Sequence, residues 1–274
     1  MVATRFVIEQ TAPASLALLR YAIGFLCLLP VTLLVGPRPR FAGRDVLPIA
    51  LLGIAQFGGL IMLLNYALRF VPSGRAALIF AAFPLLTMLV AAAARAEPLT
   101  ARKAFGVLLT LGGVACALGA RGLDRGGGEA WIGELVVLAS ALVGAVCSVL
   151  YRPYLRRYRA LPVSTFAMLA SVVFLAAPAA GEGFFTAAPR FTPWAWAAVL
   201  LIGIGSGAGY YLWLWALDHA TPTEVTVFLA LSPITATVLG GALLGETISL
   251  PVWVGVALVT GGLWLATRNG PARA

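Results

Sequence analysis

Ser206, Tyr210 and Trp213 recur at i, i+4 and i+7, which puts a hydroxyl, a phenol and an indole on one face of a helix. Such a set pairs no nucleophile with a base and gathers no metal donors. What it can do is hold an amphipathic solute, with ring faces for the apolar part and O–H or N–H groups for a polar atom. Gln56 belongs with them: an amide inside an apolar run is costly unless bonded, so it is expected to face inward. Ser140, Ser148 and Ser232 are polar side chains at similar depth, although a serine in a helix can instead bond its own backbone. Phe80, Phe83 and Phe228 would extend an aromatic wall, with packing against lipid or other helices as the competing use. Pro84 and Pro233 stand in mid-run. A proline there removes one hydrogen bond and displaces the carbonyl four residues back, here those of Phe80 and Leu229, so two kinks facing a central cavity are expected.

Chemistry beyond binding finds little support. All ten Asp and Glu fall at the ends of apolar runs or between them, and Glu134 comes nearest to being embedded. Glu97 and Glu246 precede Thr100 and Ser249, which read as N-caps, so these carboxylates are expected to sit near helix N-termini as structural charges. Asp218, His219 and Glu224 gather at a turn that reads as a solvated loop. Arg20, inside a run, is expected to snorkel or to pair with an inward acceptor. Cys27, Cys116 and Cys147 each lie in an apolar run without CxxC spacing, as small buried residues do. Neither a phosphate loop, a dinucleotide fingerprint nor a catalytic triad is visible. No catalytic residue, no metal and no cofactor is therefore expected.

The elements that position these residues follow from composition. The chain has 274 residues, 61% hydrophobic and 11% charged, whereas soluble domains carry roughly 25% charge. Its apolar residues come in runs of about twenty, the length that crosses a hydrocarbon core of about 30 Å. They do not alternate as barrel strands would. The reading is an all-α polytopic membrane protein with full spans near 14–35, 46–68, 74–94, 101–120, 131–151, 162–180, 194–217, 223–244 and 250–267. A net charge of +9 might suggest nucleic acid, but the arginines sit in short loops and form no stripe, so no nucleic-acid partner is expected. The expected partners are a small-molecule substrate and the lipid bilayer, and the chain is expected to act as a monomer. Met1 opens the sequence without a basic region and cleavage site, so no signal peptide is expected. Gly203, Gly205, Gly207 and Gly209 in one run suggest close helix contact or a hinge.

The chain also repeats itself. Ala67-Leu68 recurs as Ala216-Leu217, an offset of 149 residues. At that offset Pro84 meets Pro233, Glu97 meets Glu246, Gly106 meets Gly255, and Gly112-Gly113 meets Gly261-Gly262. Two copies of one unit are expected, at 1–120 and 130–274, joined by a glycine-rich linker at 121–129. The span at 131–151 has no partner in the first copy, so most of that copy's first helix is expected to be missing, leaving nine full spans of a five-plus-five design. Loops at 38–44, 95–103 and 152–159 and the C-terminus hold twelve Arg and Lys, against five in the opposite loops, which predicts a cytoplasmic C-terminus. Five spans per copy is an odd number, so the copies would be inverted, with the substrate site where the halves meet.

An Ala-Leu closing one run, a run with a central proline, then LLGE and a last run with paired glycines together resemble the drug/metabolite transporter superfamily, and within it the ten-helix EamA-domain branch. The second copy reads YYLWLWALDHATPTE, LSPITATVLGGALLGETIS and GVALVTGG, and the first YALRFVPSGRAALIFAAFPLLTM, ARAEPLT and GVLLTLGG. The resemblance covers nearly the whole chain and is specific for the superfamily rather than for a substrate. It implies ten spans with both termini inside and export of small amphipathic metabolites, amino acids including aromatic ones, from an inner membrane by alternating access. An intramembrane lipid-modifying enzyme and a non-transporting scaffold are the alternatives.

Overall fold

A computed structural model describes residues 11–34, 40–67, 70–71, 76, 79–118, 130–186, 191–231 and 250–267, and every regular element among them is helical. In chain order these are α1 (Pro13–Leu34), α2 (Gly43–Ala67), α3 (Phe83–Ala93), α4 (Ala101–Leu118), α5 (Ala130–Leu150), α6 (Arg152–Leu155), α7 (Ala160–Gly181), α8 (Pro193–His219), α9 (Pro222–Val227) and α10 (Leu250–Thr267). At a rise of 1.5 Å per residue, α1 is about 33 Å long and α8 about 40 Å, enough to cross a bilayer. Five of the expected spans are matched by helices long and apolar enough for this, namely α1, α2, α5 with α6, α7 and α8.

Local chemistry explains where helices begin and end. Proline occupies the first helical position of α1, α8 and α9, where its missing N–H would have no partner in any case. Thr221 caps α9 in a capping box with Glu224. Past α7, Gly183 takes a left-handed φ of 83°, and the N–H groups of Gly183 and Phe184 return to the carbonyls of Ala180 and Ala179.

The run expected at 74–94 is not one kinked helix. A turn at 81–82 precedes α3, and Pro84 is its second residue, so the proline starts a helix rather than bending one. This corrects the mid-span kink at Pro84. α3 has 11 residues and spans about 17 Å. The run expected at 223–244 likewise begins as the short α9 and passes into a 3₁₀ turn at Phe228–Ala230. Its later part, with Ser232, Pro233 and Glu246, lies outside the described residues, as does the linker at 121–129.

The chain forms two compact units, and neither is a half of the sequence. The first takes Met1–Met62 and Leu150–His219. In it α1 packs on α7 and α8, and α7 packs on α2. α1 and α7 run antiparallel. At one end Glu182 accepts from the backbone N–H groups of Ala14 (3.0 Å) and Ser15 (2.7 Å) and from the Ser15 hydroxyl (2.8 Å). A carboxylate there serves N–H groups that a helix start leaves unbonded. Towards the other end Thr32 and Thr165 share a hydrogen bond of 2.6 Å. Beyond it, Asp45 accepts from Arg157 (2.8 Å) and Tyr158 (2.7 Å), and the Tyr158 hydroxyl accepts from the N–H of Ala42 (3.0 Å). The loops before α2 and before α7 therefore share one side of this unit.

The second unit takes Leu63–Val149 and Ala220–Ala274. Its main contact is between α4 and α10, two helices of 18 residues whose bounds differ by 149 at both ends. They run antiparallel and cross at glycines. A Cβ on Gly106 would meet Gly262 and Ala266, and one on Gly113 would meet Gly255 and Val259. Such contacts are those of small residues letting helix backbones approach. Val107, Val114, Val259 and Leu263 surround them, together with Met88 of α3 and Val227 of α9. Glu97 is buried and accepts from the N–H of Thr223 (3.1 Å) and from Lys103 (3.0 Å). It thus serves the N-terminus of α9, not that of the helix following it in sequence.

Candidate functional site

Within the first unit, α1, α2 and α8 bring polar and aromatic groups together. The middle of α2 is a π-helical turn, Ile54–Gly59, with Gly58 and Gly59 closing it. A π turn widens the helix by one residue and is frequent at functional sites. Its start is held from α7, where the hydroxyl of Ser171 donates to the carbonyl of Gly53 at 2.6 Å. A methyl on Gly53 would overlap the backbone of Ala167, so the two helices touch directly there. This turn carries Gln56 and Phe57.

Phe57 joins a run of four rings from four segments. Its centroid lies 4.7 Å from Tyr21 of α1 and 4.0 Å from Tyr210 of α8, tilted by 58° and 70°. Tyr210 in turn stands 6.3 Å from Tyr151, at the junction of α5 and α6, at 72°. The two edge-to-face pairs made by Tyr210 suit the positive rim and negative face of aromatic rings, and the Tyr21–Phe57 pair is tilted. Tyr21 and Tyr151 are almost fully buried, and the hydroxyl oxygens of Tyr151 and Tyr210 and the Trp213 ring nitrogen are enclosed. Gln56 Oε1 is enclosed too and accepts no hydrogen bond from the described residues.

Beside this run, Nε of Arg20 donates to Oγ of Ser206 at 2.5 Å, and its guanidinium carbon lies 5.3 Å from the centre of the Tyr21 ring. The Ser206 hydroxyl itself donates to the carbonyl of Ile202 at 2.6 Å, which leaves its lone pairs for Arg20. Ser206 is thus the inward acceptor for Arg20. α1 and α8 reach this distance because Gly207 lies against Gly24, and Gly203 against Ile23. Gly205 and Gly209 have open space where a Cβ would be, so only alternate members of the glycine series make the contact.

The expected site residues divide between the units. Gln56, Tyr210 and Trp213 are in the first. Phe80, Phe83, Ser140, Ser148 and Phe228 are in the second. Phe80 and Phe83 stack at 5.5 Å in the second unit, and Phe83 is buried. Ser148 donates to the carbonyl of Gly144 in its own helix, and Ser140 is fully buried. Phe228 is exposed on its 3₁₀ turn. Tyr21, Phe57 and Tyr151 were not singled out from sequence. The available signal was adjacency, since Tyr21 follows the one arginine inside its span and Phe57 follows Gln56.

Asp218 and His219 are exposed at the end of α8. The His219 ring stacks on Trp215, and its Nδ1 lies 2.8 Å from the Trp215 carbonyl. Among the described residues no three of His, Cys, Asp and Glu lie close enough to hold a metal ion.

Residues 1–119 and 131–268 match the EamA-like transporter family. The chain is 33% identical over 234 residues to a protein of Streptantibioticus cattleyicolor described as a probable terminal-alkyne amino-acid exporter, a match covering 85% of this chain and 76% of that one. It is also similar to a solved crystal structure, with a TM-score of 0.83 and 25% identity over 95% of this chain and 90% of the other.

Proposed function

Because the chain belongs to the EamA-like transporter family, and is a multi-pass membrane transporter rather than an enzyme, we propose that it exports small amphipathic metabolites, with amino acids as the substrate class. The observation that carries this reading is the ring series Tyr21–Phe57–Tyr210–Tyr151, together with the enclosed side-chain oxygen of Gln56, the residue before Phe57. Rings of this kind accept an apolar side chain, whose burial contributes about 25 cal/mol per Å². Nearby polar atoms orient the other end of the solute. The relative described as an amino-acid exporter supports the same class.

Export proceeds by alternating access, with the chain in the inner membrane as a monomer and its C-terminus in the cytoplasm. The antiparallel pairing of α4 with α10, helices related by the 149-residue offset, supports an inverted repeat, the usual frame for such a cycle. The test is counterflow of labelled L-phenylalanine and L-propargylglycine in proteoliposomes holding the full chain. Exchange above that of protein-free vesicles is expected for at least one of them. No exchange of either would remove the amino-acid reading and favour a scaffold.

A further inference from the structure

We infer that Arg20 is the carboxylate anchor of the substrate site, and that Gln56 accepts from the substrate's ammonium group. The inference rests on the amino-acid exporter reading and adds the groups that would recognise the amino-acid head. Arg20 is the eighth residue of α1, about 10 Å along a helix of about 33 Å. An arginine at such depth ordinarily finds a carboxylate or lines a polar pathway. Among the described residues no carboxylate lies within ion-pair distance of it, and its one hydrogen bond is from Nε to Ser206. Ser206 is fixed as an acceptor by its own bond to Ile202, and the Tyr21 ring supports the guanidinium from one side. Nε is therefore held, while the edge formed by Nη1 and Nη2 keeps its N–H groups. Two parallel N–H groups on a planar fork match the two oxygens of a carboxylate.

The rest of an amino acid finds its complement close by. Tyr21, next to Arg20 in sequence, packs on Phe57, and Phe57 packs on Tyr210, one helical turn from Ser206. The apolar side chain would lie along these rings. Gln56, which precedes Phe57 in sequence, contributes an enclosed oxygen that accepts nothing from the described residues, and an ammonium is a donor only. A cation, an aromatic wall and a neutral acceptor suit a zwitterion with an apolar side chain. They do not suit a cationic amine that lacks a carboxylate.

The experiment compares L-phenylalanine with L-phenylalaninamide, which keeps ring and amine but lacks the carboxylate. On the unmodified protein in proteoliposomes, the amide should compete with L-phenylalanine counterflow at least about tenfold more weakly than unlabelled L-phenylalanine does. Equal competition would overturn the role of Arg20. Arg20→Gln should lower apparent affinity for L-phenylalanine about 10- to 100-fold and abolish the preference over the amide. Arg20→Lys, a point charge without the fork, should fall between. Gln56→Leu should weaken L-phenylalanine while leaving the carboxylate preference in place. If Arg20→Gln elutes as a single species and keeps the parent's affinity and preference, the inference fails while the exporter reading stands. Absence of exchange by the unmodified protein removes both.

Discussion

Gly106 and Gly262 meet backbone to backbone: a methyl on Gly106 would lie 2.8 Å from the Gly262 carbonyl oxygen, and one on Gly262 would lie 2.6 Å from that of Gly106. Neither distance leaves room for a side chain, and what stands in the way is backbone rather than a flexible tip. Gly106→Val and Gly262→Val should each cost about 1–3 kcal/mol, the range for overpacking a close contact. Gly112, with nothing within 4 Å of its Cβ position, is the control. Gly112→Ala should be neutral or stabilising by up to about 1 kcal/mol through helix propensity. Thermal melting of the purified protein in detergent reads both, and a Gly106→Val variant as stable as the parent would contradict the α4–α10 contact.

The loops at 40–45 and 156–158 are joined through Asp45, Arg157 and Tyr158, so they should face the same side of the membrane. Single cysteines replacing Arg40 and Arg156, in a variant lacking Cys27, Cys116 and Cys147, are expected to resist an impermeant thiol reagent in intact cells. Both should react once the cells are opened. Labelling of one but not the other in intact cells would contradict the contact. Labelling of both would reverse the orientation.

Tyr210→Ala should raise the apparent KM for an aromatic amino acid about tenfold, since one edge-to-face pair between the Tyr210 ring and the substrate's ring would contribute about 0.5–1.5 kcal/mol beyond area. Trp213→Ala should shift substrate preference on the same face of α8. Leu201→Ala, on an exposed part of that helix, should transport like the parent. Counterflow over a range of substrate concentrations measures all three. Unchanged kinetics in both aromatic variants would assign these side chains to packing.

Arg95 ends α3 with a φ of 54°, and the backbone closes behind it as Arg95 and Ala96 bond back to Ala92 and Ala91. A side chain in the left-handed region costs roughly 1–2 kcal/mol, and glycine avoids most of that cost. Arg95→Gly should therefore stabilise by up to about 1 kcal/mol, less what the freer unfolded chain gives back. A lower melting temperature would show that the arginine side chain makes a compensating contact.

Helix type and much of the element order were legible from sequence because both depend on local features. Apolar runs of about twenty residues marked the spans, because that length crosses the hydrocarbon core, and α1, α2, α7 and α8 match them. The equal spacing of Gly106 and Gly255, and of Gly113 and Gly262, was legible too. That Gly106 meets Gly262 and Gly113 meets Gly255 was not, because contact between helices depends on their direction and rotation. The same limit explains Pro84: sequence placed it inside an apolar run, and only the turn at 81–82 made it the start of a helix. Tertiary structure also decided the site. Gln56 and Tyr210 stood out by residue type. Tyr21, Phe57 and Tyr210 met only where α1, α2 and α8 converge, and Arg20 found its acceptor 186 residues away, at a serine that close glycine contacts bring within reach.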